Sequence, residues 1–282
     1  MARKESLFPG QEILLPLLRE RLDGWGIGTV CWDFDGTLVD TRAVFNRAMI
    51  DVAGLLLFGR EWISEQVERN GEKLRQAEEY KESVMDELVW GLRSELGVRP
   101  QIMEVVVKLA ARVRNLDLGG EEVERAVERV QRIYQGDIPD VFEGAREAVE
   151  LVNKAGRRSI LMTHAEENWT WLKRLGTGFI GMFEEVVHFS VDAPKSVQWE
   201  EQIKRLGTDP KAILVVGDNF GADILVPVLL GARGILITRG GSKVFDAEEA
   251  YKVNDEVVLK ERVIKVKQTK DIIGAIIQGE HL

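Results

Sequence analysis

Asp33 and Asp35 stand one residue apart directly after the apolar run Val30-Cys31-Trp32, and the turn-forming pair Gly36-Thr37 follows them. On an extended segment, side chains at this spacing point to the same side, with Phe34 pointing away. Two carboxylates so crowded require a shared cation or a shared proton, because two bare like charges drive a pKa strongly upward. Polar groups close three further apolar runs. Thr163 follows Ile160-Leu161-Met162, Lys195 lies shortly after Val186–Phe189, and Asp218 with Asp223 follows Ile213-Leu214-Val215-Val216. The carboxyl edge of a parallel sheet is where open α/β proteins bind ligands. Two carboxylates, a hydroxyl, an ammonium and a second acidic pair are the groups needed to handle a phosphate monoester together with a hard divalent cation.

Each residue alone has a plainer reading. An acid after a strand usually makes a turn or an N-cap, which is the favoured reading for Asp218 or Asp223 in isolation. Thr163 could cap the helix after it, and a single Lys195 is most often solvated. His164, beside Thr163, is a candidate substrate contact, although a lone histidine near a pocket is as often structural. His188 and His281 show no zinc spacing. The functional reading gains its weight from the four groups occurring in order along one pattern of strands.

The elements that must position these groups follow from periodicity. Gln11 to Asp23 carries Ile13, Leu14, Leu17, Leu18 and Leu22 at helical spacing, with Pro16 fitting only a first turn or a kink. Gly24, Gly26 and Gly28 precede a strand rather than follow one, which rules out a dinucleotide fingerprint. From Thr41 to Tyr134 the pattern is helical throughout, with pieces expected at Ala43 to Phe58, Arg60 to Glu68, Glu72 to Leu96, Pro100 to Arg114 and Gly120 to Gln135. After Pro139 helices and strands alternate. Strands are expected at Arg158 to Met162, Glu185 to Phe189, Ala212 to Val216 and Gly234 to Ile237, with helices at Gly144 to Ala155, Glu167 to Leu175, Val197 to Leu206 and Ala222 to Leu230. A further strand is expected within Val257 to Val266, and a closing helix at Asp271 to Ile277. The fold class is therefore α/β: a Rossmann-like parallel sheet, including Val30 to Asp33, with an all-α domain inserted after its first strand. The expected boundaries are 1–40 plus 137–282 for the core and 41–136 for the insertion.

Composition narrows the partners. A formal net charge of -9 and a pI near 5.1 argue against nucleic acid and against an anionic membrane surface. A local pocket on an acidic protein can still be positive enough for a small phosphorylated metabolite. Cys31 is the single cysteine, so an internal disulfide framework is excluded. The first residues lack the apolar core of a signal peptide, and no apolar stretch approaches a membrane span. A cytoplasmic location is expected, while the oligomeric state is not encoded legibly.

With these motifs in place, the sequence resembles the haloacid dehalogenase-like hydrolases, in the phosphatase branch with a helical cap. The resemblance is carried by Asp33-Phe34-Asp35-Gly36-Thr37-Leu38-Val39-Asp40, by the apolar strand ending in Thr163, by Lys195, and by Gly217-Asp218 with Asp223. Pro139 to Gly144 and the turn Leu230-Gly231-Ala232 support it. The resemblance implies a magnesium-dependent phosphatase for a small phosphate monoester, in which Asp33 attacks phosphorus to form an aspartyl-phosphate. It implies magnesium on the Asp33 and Asp218 carboxylates and the Asp35 carbonyl, with Asp223 steadying Asp218 or serving as an alternative ligand. Asp35 would be the general acid and then the base. Lys195 and Thr163 would bind the phosphoryl oxygens, with the backbone amides of Phe34 and Asp35 and the Thr37 hydroxyl completing the cradle. The cap would exclude water and set specificity; Arg42, Arg47 and Lys81 are conceivable contacts. Two alternatives share the motifs, a phosphomutase of the same family and a non-catalytic binding protein that kept the fold. Dehalogenation and phosphonate cleavage are disfavoured, since those branches do not need an acid at Asp35.

Overall fold

The structure, a computed structural model, describes residues 11–59, 62, 71–88, 100–113, 115, 120–190, 193–239 and 261–279. Six strands form one sheet: β1 (Thr29–Trp32), β2 (Arg158–Thr163), β3 (Glu185–His188), β4 (Ile213–Gly217), β5 (Arg233–Ile237) and β6 (Val263–Val266). Their order is β3-β2-β1-β4-β5-β6, and every pairing is parallel. β1 therefore lies inside the sheet, with Trp32 level with Leu161 of β2 and Val216 of β4. The strand reads as an unbroken apolar run because both of its faces are covered.

The two faces divide by the period of two that a strand imposes. Val30, Trp32, Leu161, Leu214, Val216, Ile235 and Ile237 enter one core cluster, with residues of α1 (Gln11–Gly24), α6 (Ala145–Lys154) and α10 (Ile272–Gln278). Cys31, Ile160, Met162, Ile213, Val215 and Leu236 enter the other, with Trp199 and Ile203 of α8 (Lys195–Leu206) and Val228 of α9 (Leu225–Leu229). Leu18 and Leu22 of α1 are fully buried, each contributing roughly 1.5–3 kcal/mol. Pro16 sits inside α1 rather than in its first turn, on an exposed side where water can meet the carbonyl it leaves unbonded.

The chain divides into two compact units, Met1–Asp40 with Asp140–Leu282, and Thr41–Pro139. The second is built from α2 (Thr41–Phe58), α3 (Gly71–Tyr80), α4 (Pro100–Val113) and α5 (Gly120–Gly136). Its core includes Met49, Val52, Trp62, Tyr80, Val107 and Val123. Trp62 lies so close to α2 that a Cβ on Gly54 would meet its ring at 2.1 Å. Buried Asp51 receives the Trp62 indole N–H at 2.8 Å and pairs with Arg129, so a carboxylate in this core is neutralised and hydrogen-bonded.

Three expectations about elements need correction. The long helix expected from Glu72 is interrupted by a π-turn at Lys81–Met85, while its end beyond residue 88 and most of Arg60 to Glu68 lie outside the described residues. The helix expected from Ala222 opens instead as a π-turn, Phe220–Ile224, and becomes α-helical only at Leu225. Pro227 lies in the first turn of that helix. In the wider i→i−5 pattern its nitrogen would face the Ala222 carbonyl, but proline has no N–H to give. The Trp199 indole donates to that carbonyl instead, at 2.7 Å. Finally, of the strand expected in Val257 to Val266 the described residues form Val263–Val266, Glu261 and Arg262 before it are helical, and residues 257–260 lie outside the described residues.

Candidate active site

The site grows from the end of β1. The Asp33 amide still donates to Val216 of β4 at 2.9 Å, so the strand delivers Asp33 beside the end of β4. The chain then turns back tightly. The Phe34 carbonyl accepts from the amides of Thr37, Leu38 and Val39, and Gly36 adopts φ +87, which a glycine takes without strain. Phe34 points into the core, edge-on to Phe179 with centroids 5.6 Å apart. Arg239, just beyond β5, donates to the carbonyls of Gly36 and Thr37, and the Thr269 hydroxyl donates to Thr37 at 2.8 Å. The turn that carries both acids is thus tied down from the opposite end of the chain.

Neighbouring strand ends supply the rest. Asp218 follows β4, and its carboxylate packs so closely on Gly36 that a Cβ there would lie 2.5 Å from Oδ2. Asp223 sits in the π-turn, where Oδ2 accepts from the Asn219 amide at 3.0 Å. Oxygens of Asp33, Asp218 and Asp223 lie within 4.8 Å of one another. Lys195, the first residue of α8, reaches under them. Its ammonium contacts Asp33 Oδ1 at 2.8 Å, Asp223 Oδ1 at 2.7 Å and the Met162 carbonyl at 2.8 Å. The Thr37 hydroxyl donates to the other oxygen of Asp33 at 2.8 Å.

Asp33 and Asp223 share one ammonium here, with Asp218 beside them, and the titration behaviour reflects that crowding. Burial pushes the Asp33 carboxyl up to about 6, the nearby Asp223 adds to the rise, and Lys195 opposes it. Asp223 is raised as well, first by burial and then by Asp218, again against Lys195. For Lys195 burial favours the neutral amine, but Asp223 and Asp33 outweigh it and hold the ammonium above the ordinary lysine range. Such a cluster suits a second positive charge. The donors are all hard carboxylate oxygens, which fit Mg²⁺ better than a soft or nitrogen-seeking metal. The space beside Asp218 is kept open by Gly36, where any Cβ would fill it.

Among the residues expected from sequence, the structure brings Asp33, Thr37, Lys195, Asp218 and Asp223 together. Thr163 ends β2, buried, with its hydroxyl accepting from the Ala165 amide at 3.2 Å. That is a local hydroxyl turn rather than a cap of the following helix, whose N-cap is Glu166, and it leaves the hydroxyl proton for another acceptor. His164 turns to the Ser190 carbonyl at 2.8 Å rather than toward the acids. The Asp33 and Asp35 carboxylates take different ammonium partners. Asp33 pairs with Lys195, whereas Asp35 pairs with Lys173 of α7 (Glu167–Thr177). Phe34 turns inward between them, and the departure from extended backbone at the turn separates the two partners.

Lys173 and Arg239 were not legible as site residues. A signal for Lys173 exists in its register: it lies four residues after Trp169 and four before Thr177, on the buried face of α7. A lysine on such a face needs a partner. Arg239 gives only the weaker hint of a charged residue directly after a buried strand.

Comparison with known proteins addresses the family and the fold. A sequence model of the haloacid dehalogenase-like hydrolases matches residues 27–226. A search of curated proteins found no match. Among solved structures, the chain is similar to a haloacid dehalogenase-like family hydrolase from Xanthomonas campestris, with TM-score 0.61, 15% identity, and 89% of this chain and 91% of that one covered. It is similar also to the proposed hydrolase YfnB of Bacillus subtilis bound to magnesium, with TM-score 0.55, 13% identity, and 80% and 98% covered. A third is a proposed β-phosphoglucomutase from Thermotoga maritima, with TM-score 0.56, 15% identity, and 89% and 99% covered. These likenesses concern the fold, while the match of the family model over most of the chain settles membership: the chain belongs to the haloacid dehalogenase-like hydrolases.

Proposed function

We propose that the protein is a Mg²⁺-dependent phosphatase that hydrolyses a small phosphate monoester through an aspartyl-phosphate on Asp33. The observation that carries this reading is the convergence of Asp33, Asp218 and Asp223 within 4.8 Å over the Lys195 ammonium, with a second acid, Asp35, two residues along. Asp33, Asp218 and the Asp35 carbonyl would hold magnesium, which supplies positive charge to the phosphoryl oxygens and to the reacting carboxylate.

The chain's own groups then do the rest. Lys195 keeps Asp33 ionised and oriented, offsetting the burial that raises its pKa. An Asp33 oxygen attacks phosphorus, the bond from phosphorus to the ester oxygen breaks, and Asp35 gives its proton to the departing alcohol. Asp35, now ionised, takes a proton from water as that water attacks phosphorus. Inorganic phosphate leaves and the Asp33 carboxylate is regenerated. A carboxylate is a weak nucleophile, so positioning and charge neutralisation supply most of the acceleration. The free proton of Thr163 and the Lys195 ammonium serve as donors to phosphoryl oxygens.

The test is hydrolysis of p-nitrophenyl phosphate and a panel of small phosphate monoesters, with magnesium and with excess chelator. Magnesium-dependent release of inorganic phosphate is expected, rather than an isomerised ester. Asp33→Asn should lower turnover by several orders of magnitude with the circular dichroism spectrum unchanged. A folded Asp33→Asn protein with wild-type turnover would remove Asp33 as nucleophile.

A further inference from the structure

We infer that Lys173 is a positioning residue for Asp35, a core lysine that holds this acid in one orientation at the mouth of the site. The inference deepens the phosphatase reading and rests on it. Lys173 is fully buried, and the ion pair it makes among the described residues is with Asp35. Its ammonium also lies 5.4 Å from the centre of the Phe34 ring and 5.1 Å from that of Trp169. A lysine without solvent is unfavourable unless its charge is matched, and here it is matched by ionised Asp35, the form that takes a proton from water; to the protonated form the same ammonium still donates a hydrogen bond at Oδ1.

The restraint is rigid on the lysine side and needed on the aspartate side. Lys173 projects from the buried face of α7, boxed by two aromatic rings, and its carbonyl accepts from the Thr177 hydroxyl. Asp35 precedes a positive-φ glycine in a tight turn, and 27% of its side chain is exposed. A short side chain so placed has other staggered rotamers open to it. An ammonium anchored in the core selects one of them. Lys173 itself has no exposure through which to touch substrate, so it acts through Asp35 alone. The two acids are thereby served by separate lysines from separate helices, Lys195 for the nucleophile and Lys173 for the proton carrier.

The experiment compares kcat/KM on two esters in wild type, Lys173→Met, Asp35→Asn and the double variant, with magnesium. p-Nitrophenyl phosphate has a leaving group that departs without a proton. Phenyl phosphate releases a phenol about as basic as a tyrosine side chain, near 10, and needs the acid. We expect Lys173→Met to lower kcat/KM for phenyl phosphate by about 10²-fold and for p-nitrophenyl phosphate by less than about tenfold. The double variant should be no worse than Asp35→Asn. Equal losses on both esters, or losses that multiply in the double variant, would overturn the inference while leaving the phosphatase reading intact. Should Lys173→Met not fold, Lys173→Arg, which keeps the charge but not its position, must show the same ester-dependent loss or the inference falls. A wild type inactive on every ester, with magnesium, overturns both.

Discussion

Gly36→Ala should separate the fold of this protein from its proposed metal site. The residue holds φ +87, and an L side chain there is unfavourable by roughly 1–2 kcal/mol. The more consequential contact is with Asp218, whose Oδ2 lies 2.5 Å, Cγ 2.9 Å and Oδ1 3.1 Å from where the new Cβ would sit. To regain ordinary contact the carboxylate must withdraw by about 0.9 Å. A side-chain rotation accommodates that shift, so little is added to the backbone strain. A magnesium site is less forgiving, because the ion takes near-octahedral ligands at about 2.0–2.1 Å. A displacement of about 1 Å in an active site is worth roughly 10²-fold in rate. The expected outcome is a folded protein whose melting temperature falls by about 2–8 °C, with turnover reduced about 10²-fold and a greatly increased magnesium requirement. Circular dichroism melting gives the first quantity, and a magnesium titration of p-nitrophenyl phosphate hydrolysis gives the others. A folded Gly36→Ala protein with wild-type turnover and magnesium dependence would refute the placement of Asp218 as a ligand against this turn.

Lys195→Met should leave Asp33 and Asp223 facing each other without their counter-charge, destabilising the metal-free protein by about 3–5 kcal/mol; added magnesium should raise the melting temperature of this variant more than that of wild type. Asp33 titrates near 6 in the fold against an ordinary value of 3.8, so the metal-free folded state binds a proton that the unfolded chain has already released between these values. Stability in chelator should therefore fall as pH rises from about 4 to about 6, which melting curves across that range will show. Magnesium competes with the same proton, so its apparent affinity, measured by calorimetry, should rise about tenfold per pH unit below about 6 and level off above. In the helical unit, Gly54→Ala would drive a methyl to 2.1 Å from the Trp62 ring and should destabilise by about 1–3 kcal/mol, read by chemical denaturation with tryptophan fluorescence.

Periodicity and residue type were enough to determine the α/β class, the helical insertion, and the strand ends that bear Asp33, Thr163 and Asp218. These are local properties: a strand with both faces buried must be apolar throughout, and a ligand edge must then carry the polar residues that follow it. What local pattern could not contain is which charge meets which. Lys195 is singled out in the sequence as a phosphate-binding candidate and Lys173 is not singled out at all, yet one serves Asp33 across 162 residues and the other Asp35 across 138. That choice depends on how α7 and α8 pack beside β1, and no spacing along the chain encodes it. The same holds for Arg239, which fastens the turn at Gly36 from 203 residues away. The chain names its reactive groups through short-range rules; their pairing is decided only when burial removes water and each charge must find a partner in the folded core.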